Sequence, residues 1–182
     1  MDDGSSDRTL PLASELARRD PRLRVLVHAH TRGYGATVRT GIGAARMPWI
    51  LLTDAALPVD LHGLQSFLPV AGHADVVVGW RNPQGHRLIR RLGIGARQLL
   101  MRHVFGVPVH DADCPFKLVR RELLGSLTLR HAGATVGAEI VLRALAAGGR
   151  VREVEVRAQP NHARKRRRPP LRRHARRRLP AR

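Results

Sequence analysis

Short apolar runs separated by amphipathic stretches divide this chain into alternating elements. Leu23-Arg24-Val25-Leu26-Val27 alternates and predicts a strand, as does the segment from Val151 to Val156. Trp49-Ile50-Leu51-Leu52-Thr53 and Asp75-Val76-Val77-Val78-Gly79 are continuous apolar runs, the pattern of strands buried on both faces. Between them lie helical patterns. Leu10, Leu12 and Leu16, closed by Arg18 and Arg19, predict a first helix that Ser5 to Asp7 would cap, with Pro11 tolerable in its first turn. A helix of small residues follows the loop Arg32-Gly33-Tyr34-Gly35-Ala36 and runs to about Arg46. Further helices are predicted over 61–70, with Asp60 as N-cap, over 86–105 and over 136–147. No internal repeat is present. This order predicts an α/β domain with a mainly parallel sheet, whose ligands sit outside the carboxyl ends of the strands. Asp2 to Ser5, Asp54 and Arg81 all fall at such ends.

Composition narrows the class. The chain has 182 residues, the size of one domain, and a hydrophobic fraction of 43% with only 3% aromatic residues, so Leu, Val, Ala and Ile must build the core. No run approaches the roughly 18 to 20 apolar residues of a membrane span, and no basic-then-apolar leader is seen, which predicts a cytoplasmic location. The lone Cys114 excludes an internal disulfide and a multi-cysteine metal site. The net charge of +19 is concentrated: eleven of the 33 basic residues and none of the 14 acidic ones fall in 164–182, leaving +8 on the rest. We therefore divide the chain into a domain over 1–160 and an Arg-rich tail over 161–182 with too little apolar surface to fold. The tail could be a solvated terminus, an anchor to an anionic membrane surface, or a nonspecific nucleic-acid binder. The scarcity of aromatic stacking platforms ranks nucleic acid last.

The candidate chemistry lies in motifs that are individually ambiguous. Asp2-Asp3-Gly4-Ser5 pairs carboxylates able to accept from base or ribose donors, or is a capping turn. Arg32-Gly33 allows close backbone approach and a phosphate contact, or is an ordinary pre-helix loop. Thr53-Asp54-Ala55 places a hard oxygen ligand at a strand end, and Gly79-Trp80-Arg81 a cation. Asp113-Cys114-Pro115-Phe116-Lys117-Leu118 adds a carboxylate and a lysine, the latter equally readable as a surface residue of an edge strand.

Their order and spacing together resemble the family 2 glycosyltransferases, and within them the dolichyl-phosphate mannosyltransferase-like enzymes that load a sugar onto a polyprenyl phosphate. The likeness runs from Asp2 to about Pro160. It implies a GT-A-like (Rossmann-like) fold and transfer of a sugar from a UDP- or GDP-sugar donor to a polyprenyl phosphate at the inner membrane face. It implies donor-nucleotide contacts from Asp2, Asp3, Arg32, Gly33 and Asp54, with Asp54 holding Mg²⁺ or Mn²⁺ on the diphosphate. Asp113, Lys117 and Arg81 would form the catalytic group. Glu139 matches a helix position facing the site, or is a solvated helix glutamate. Arg87, Arg90 and Arg91, among Leu88, Leu92, Leu99 and Leu100, would lie on the acceptor side, unless that segment is a core-packing helix with a wet basic face.

The pattern also departs from the family. Ala56 replaces the second aspartate of the Asp-x-Asp motif, which weakens the expected metal site, and the acceptor loop usual after Val156 is replaced by Ala158-Gln159-Pro160. No hydrophobic strand feeds the Asp2-Asp3-Gly4-Ser5 turn. The resemblance implies two strands lying between 23–27 and 49–53 in the sheet, so the chain is expected to be N-terminally truncated. A catalytically dead remnant of the family and a basic nucleic-acid-binding protein are the alternatives.

Overall fold

The structure, a computed structural model, describes residues 1–55, 59–81 and 109–157. Its elements are α1 (Thr9–Arg19), α2 (Tyr34–Ala44), β1 (Trp49–Leu52), a 3₁₀ turn (Leu61–Gly63), α3 (Leu64–Ala71), β2 (Val76–Arg81), β3 (Lys117–Arg120), α4 (Arg121–Ser126), α5 (Val136–Ala146) and β4 (Val151–Val156). The predicted strands at 49–53, 75–79 and 151–156 and the helices at both ends form close to where the periodicity puts them. Asp60 is the predicted N-cap, its carboxylate accepting from the His62 N–H at 3.0 Å. The segments 86–105 and 161–182, and Ala56, lie outside the described residues.

The sheet has the order β1-β3-β2-β4. β2 and β4 pair in parallel, while β3 is antiparallel to both β1 and β2. β1, β2 and β4 therefore share one direction and β3 alone opposes it, so the sheet predicted as mainly parallel is mixed. The sequence offers a strand at Lys117 only as an edge strand, whereas β3 lies between β1 and β2. Four residues opening on a lysine after a Cys-Pro-Phe turn carry too little periodicity to mark a strand. The expected strand at 23–27 reduces to one parallel bridge between Asp2 and Val27, flanked by Asp2 N–H to Leu26 C=O at 2.8 Å and His28 N–H to Asp2 C=O at 3.0 Å. Val27 remains 46% exposed, and α1 buries no residue, leaving Leu12 and Leu16 on the surface.

The core lies on both faces of β2, whose Val76, Val77 and Val78 are fully buried. Phe67 of α3 meets Phe116, just before β3, edge to face at 5.2 Å between ring centroids and 74° between planes. α5 buries Val136, Ile140, Val141 and Ala144 and stops at Gly148, whose φ of +77° is the left-handed conformation glycine takes without a Cβ penalty. Gly148 N–H to Leu145 C=O at 3.0 Å and Gly149 N–H to Ala144 C=O at 2.8 Å complete a Schellman ending that turns the chain into β4.

Two carboxylates fasten this frame. Asp75, ahead of β2, accepts from the side chain and backbone N–H of Arg150 and pairs with Arg120; the Arg150 side chain is the main reason its carboxyl is held at about 2. Burial pushes Glu139 up, but the backbone N–H groups of His131 and Arg130 and the Arg143 guanidinium outweigh it and hold its carboxyl at about 2. Glu139, 5% exposed, is therefore no solvated helix glutamate; it holds the segment before α5.

Phe116→Ala should lower the unfolding free energy by about 3–5 kcal/mol, the range for emptying a buried aromatic site, read from urea denaturation midpoints. The carboxylates give a second expectation. Their folded values lie below the unfolded values of about 3.9 and 4.3, so the stability they contribute is complete above that range and disappears as pH falls toward about 2. Acid unfolding followed by circular dichroism should show this loss below about pH 4, and Asp75→Asn should flatten it.

Candidate active site

Two strand ends and one strand start meet at one edge of the sheet. β1 delivers Asp54 two residues beyond its end, β2 ends on Arg81, and β3 starts at Lys117, which pairs with Leu52 on one side and Val78 on the other. The opposed direction of β3 is what brings a lysine to the carboxyl ends of its neighbours. Lys117 is 1% exposed, its Nζ donating to the Cys114 carbonyl and facing Gly137 at the start of α5. It is neither at the surface nor on an edge strand, as one reading of the sequence had it. Burial lowers its pKa to about 8, while Asp111 and Asp54 pull the other way and Arg81 adds to the depression. Those four side chains thus lie within electrostatic reach of one another.

Arg81 is engaged by a residue the sequence reading passes over. Its Nε and Nη2 donate to the two oxygens of Asp111 at 2.7 and 3.0 Å, a bidentate pair that raises the arginine pKa. Asp113, the aspartate singled out from sequence, is half-buried two residues further along the same segment. With aspartates at both positions of His-Asp-Ala-Asp-Cys, only the folded chain shows that Asp111 is the one that meets Arg81.

A second group forms around the N-terminal turn. Asp2 is 5% exposed; its Oδ2 accepts from Ser5 N–H at 3.0 Å, and its Oδ1 is buried without a hydrogen-bond partner. Gly4, at φ +73°, lies against the backbone of His30 and Thr31, where a Cβ would approach to 3.0 Å. Asp3 turns inward: its carboxylate accepts from the backbone N–H groups of Arg32 at 3.0 Å and Gly33 at 2.9 Å. Its Oδ1 lies 2.6 Å from His28 Nδ1, and His28 Nε2 lies 2.9 Å from the Thr40 hydroxyl on α2. The His28 hydrogen bond, then those of the loop, hold the Asp3 carboxyl at about 2. His28 and Thr40 escaped the sequence reading because a buried histidine carries no local signal.

Gly33, at φ +91°, opens α2, and Gly35 donates to Ala132 C=O at 2.7 Å. A Cβ on Gly35 would fall inside the His131 carbonyl oxygen, so the glycine loop and the segment held by Glu139 are packed backbone to backbone. Between these glycines Tyr34 joins the two groups, its hydroxyl donating to Asp54 Oδ1 at 2.7 Å. Burial and this hydrogen bond raise the phenol above its ordinary range. The structure so brings Asp2, Asp3, Arg32 and Gly33 together, and Asp54, Arg81 and Lys117 together with Asp111, while Asp113 lies two residues further along the same segment. Arg87, Arg90 and Arg91 lie outside the described residues.

Among the described residues no three His, Cys, Asp or Glu side chains gather to cage a metal ion. Asp54 is one carboxylate at the site's edge, with one oxygen accepting from Tyr34. That donor set fits a hard divalent ion only as one shared with ligand oxygens and water, the usual habit of Mg²⁺.

The chain is 30% identical over 134 residues to a dodecaprenyl-phosphate galacturonate synthase of Rhizobium johnstonii, covering 71% of this chain and 39% of that protein. It is 30% identical over 160 residues to an uncharacterized glycosyltransferase of Mycobacterium tuberculosis, covering 86% of this chain and 70% of that one. In fold it is similar to the glucosyl-3-phosphoglycerate synthase of M. tuberculosis solved with Mn²⁺, UDP and glucosyl-3-phosphoglycerate, at a TM-score of 0.62 and 18% identity, covering 88% of this chain and 59% of that one. The chain thus spans between two fifths and seven tenths of the length of these proteins. The family model for glycosyl transferase family 2 matches residues 1–128, and with the GT-A architecture and the order of the acidic turn, glycine loop and strand-end cations, the chain belongs to that family.

Proposed function

We propose that this chain transfers a sugar from a UDP- or GDP-sugar to a polyprenyl phosphate at the cytoplasmic face of a membrane. The observation that carries the reading is the gathering of Asp54, Arg81, Asp111 and Lys117 at the carboxyl edge of the sheet, joined through Tyr34 to the loop that Asp3 holds. Asp2, with one buried oxygen lacking a partner, is built to accept from a donor nucleoside, and Arg32 and Gly33 offer a cation and an open backbone to its phosphates. Asp3 would act mainly by shaping that loop. Asp54 would hold Mg²⁺ or Mn²⁺ together with donor oxygens. Such an ion, when bound, offsets negative charge on the nucleoside diphosphate.

In the transfer, an acceptor phosphate oxygen forms a bond to the anomeric carbon as the bond to the nucleoside diphosphate breaks, and the electron pair leaves with the diphosphate. The acceptor is already anionic, so no proton need be removed. Arg81 and Lys117 supply positive charge where negative charge gathers, and rigid placement does the rest. Asp113, in the same segment, would face the sugar and the acceptor. The basic, leucine-rich stretch with Arg87, Arg90 and Arg91 has the composition to meet lipid phosphate and the acyl boundary together. Among the described residues no helix is long and apolar enough to cross a membrane.

Calorimetric titration with UDP and GDP should show binding that strengthens with Mn²⁺. Folded protein that binds neither nucleotide would point instead to a decayed site, the alternative that Ala56 favours. Lys117→Met separates ligand binding from folding. Removing a desolvated ammonium and orphaning the Cys114 carbonyl act in opposite directions, so the denaturation midpoint should move little. Nucleotide affinity should fall about tenfold or more, equivalent to about 1.4 kcal/mol. In the unsubstituted chain the affinity should weaken as pH rises through about 8, because the lysine loses its charge there.

A further inference from the structure

Glu153 lies on β4 opposite Val78, and its side chain is 12% exposed. Its carboxylate takes the backbone N–H of His110 at 2.8 and 3.0 Å, the backbone N–H of Asp111 at 2.9 Å, and His110 Nδ1 at 2.6 Å. Two successive amides and an imidazole thus converge on one anion. The turn they form has no strand or helix of its own to hold it. Among the described residues it is also held by the His110 ring, which lies 5.2 Å from the Trp80 ring at 38°, by Cys114 N–H donating to the Asp111 carbonyl at 3.0 Å, and by the buried side chains of Val109 and Ala112 beside it. Trp80 is the residue before Arg81.

Once the turn is fixed, Asp111 reaches Arg81 side on, through Nε and Nη2. A guanidinium has five N–H groups in one plane, so two are used and three keep a defined direction toward a ligand. Arg81 stays 35% exposed at its side chain, whereas Glu153 is tucked beneath the turn with both oxygens engaged. We infer that Glu153 is a positioning residue for Arg81, acting through the 110–111 turn and Asp111 to aim the guanidinium at the phosphates of the ligand. This rests on the reading of Arg81 as a phosphate-binding cation.

The chemistry needed is specific to a carboxylate. An amide at 153 would present one oxygen and one NH₂ to a set of converging N–H donors, and one of those contacts would become repulsive. A shorter acid would keep the charge and lose the reach. Neither change touches the ligand, so any effect on binding must travel through Asp111 and Arg81.

The test has two arms. In the first, ¹⁵N-arginine spectra follow the Arg81 Nε–H signal, assigned by its loss in Arg81→Lys. Glu153→Gln and Glu153→Asp should each shift that signal and speed its exchange with water, as should Asp111→Asn. In the second, UDP and inorganic diphosphate are titrated calorimetrically. Glu153→Gln and Asp111→Asn should each weaken binding about five- to tenfold, and the double variant should lose little more than either alone, the mark of residues acting as one unit. An unchanged Arg81 signal in both Glu153 variants, or losses that add in the double variant, would overturn the inference. Absence of binding by the unsubstituted chain would instead defeat the functional reading, and the spectra would still decide whether Glu153 governs Arg81.

Discussion

The insertion of β3 between β1 and β2, running against both, is the constraint from which the site follows. A strand in that place starts where its neighbours end, so its first side chain enters the region that open α/β sheets use for ligands. Here that side chain is a lysine, buried between Leu52, Val78 and the start of α5, with its ammonium donating to the Cys114 backbone carbonyl. A charge held this way costs folding free energy unless other groups compensate. Asp54 and Asp111 do so through space, and the fully buried valines of β2 and the Phe67–Phe116 pair fix the sheet beneath the lysine.

Around this core the loops are held by one repeated device. Asp3 accepts from the successive amides of Arg32 and Gly33, Glu139 from those of Arg130 and His131, and Glu153 from those of His110 and Asp111. Each carboxylate also has a side-chain partner: His28, Arg143 and His110 respectively. Buried amides outside regular structure need acceptors, and an ionised carboxylate can serve two at once with charge-assisted bonds. Two of the three loops then lock together, because Gly35 meets Ala132 and His131 with no room for a side chain. In a chain with few aromatic residues, ion-to-amide anchoring takes over work that bulky side chains do elsewhere.

This device also explains which parts of the molecule were legible in the sequence. Runs such as Val76-Val77-Val78 and the helix opening at Val136 state their structure through periodicity, and the motif order states the family. What stayed hidden depends on partners far apart in the chain. Asp3 reads as a free ligand beside Asp2, yet its lone pairs are taken by residues 28, 32 and 33. Asp111 and Asp113 are indistinguishable as letters, and only the folded chain shows Asp111 set against Arg81. Glu139 was open to two readings, and its contacts with Arg130, His131 and Arg143 give it a third part, that of a loop anchor. A sequence names carboxylates; their hydrogen-bond donors decide whether they bind ligand or hold the chain.

Charge balance links these assignments to the proposed chemistry. Among the described residues the strand-end cluster holds two cations, Arg81 and Lys117, and two carboxylates, Asp54 and Asp111, so it is near neutral before any ligand arrives. A nucleotide-sugar diphosphate brings negative charge that this cluster does not offset, and a second anion, the acceptor phosphate, adds to the deficit. On the proposed reading the missing positive charge must come from a divalent ion, from arginines elsewhere in the chain, or from both. Alanine at 56 acts on both sides of that balance. On that reading, without a second carboxylate the ion would be held less tightly by protein, but the site would also be less negative, so less positive charge would be needed to receive the donor. On the proposed reading, a single aspartate steadied by Tyr34, beside two cations, would suffice where the ligand's own oxygens completed the metal shell.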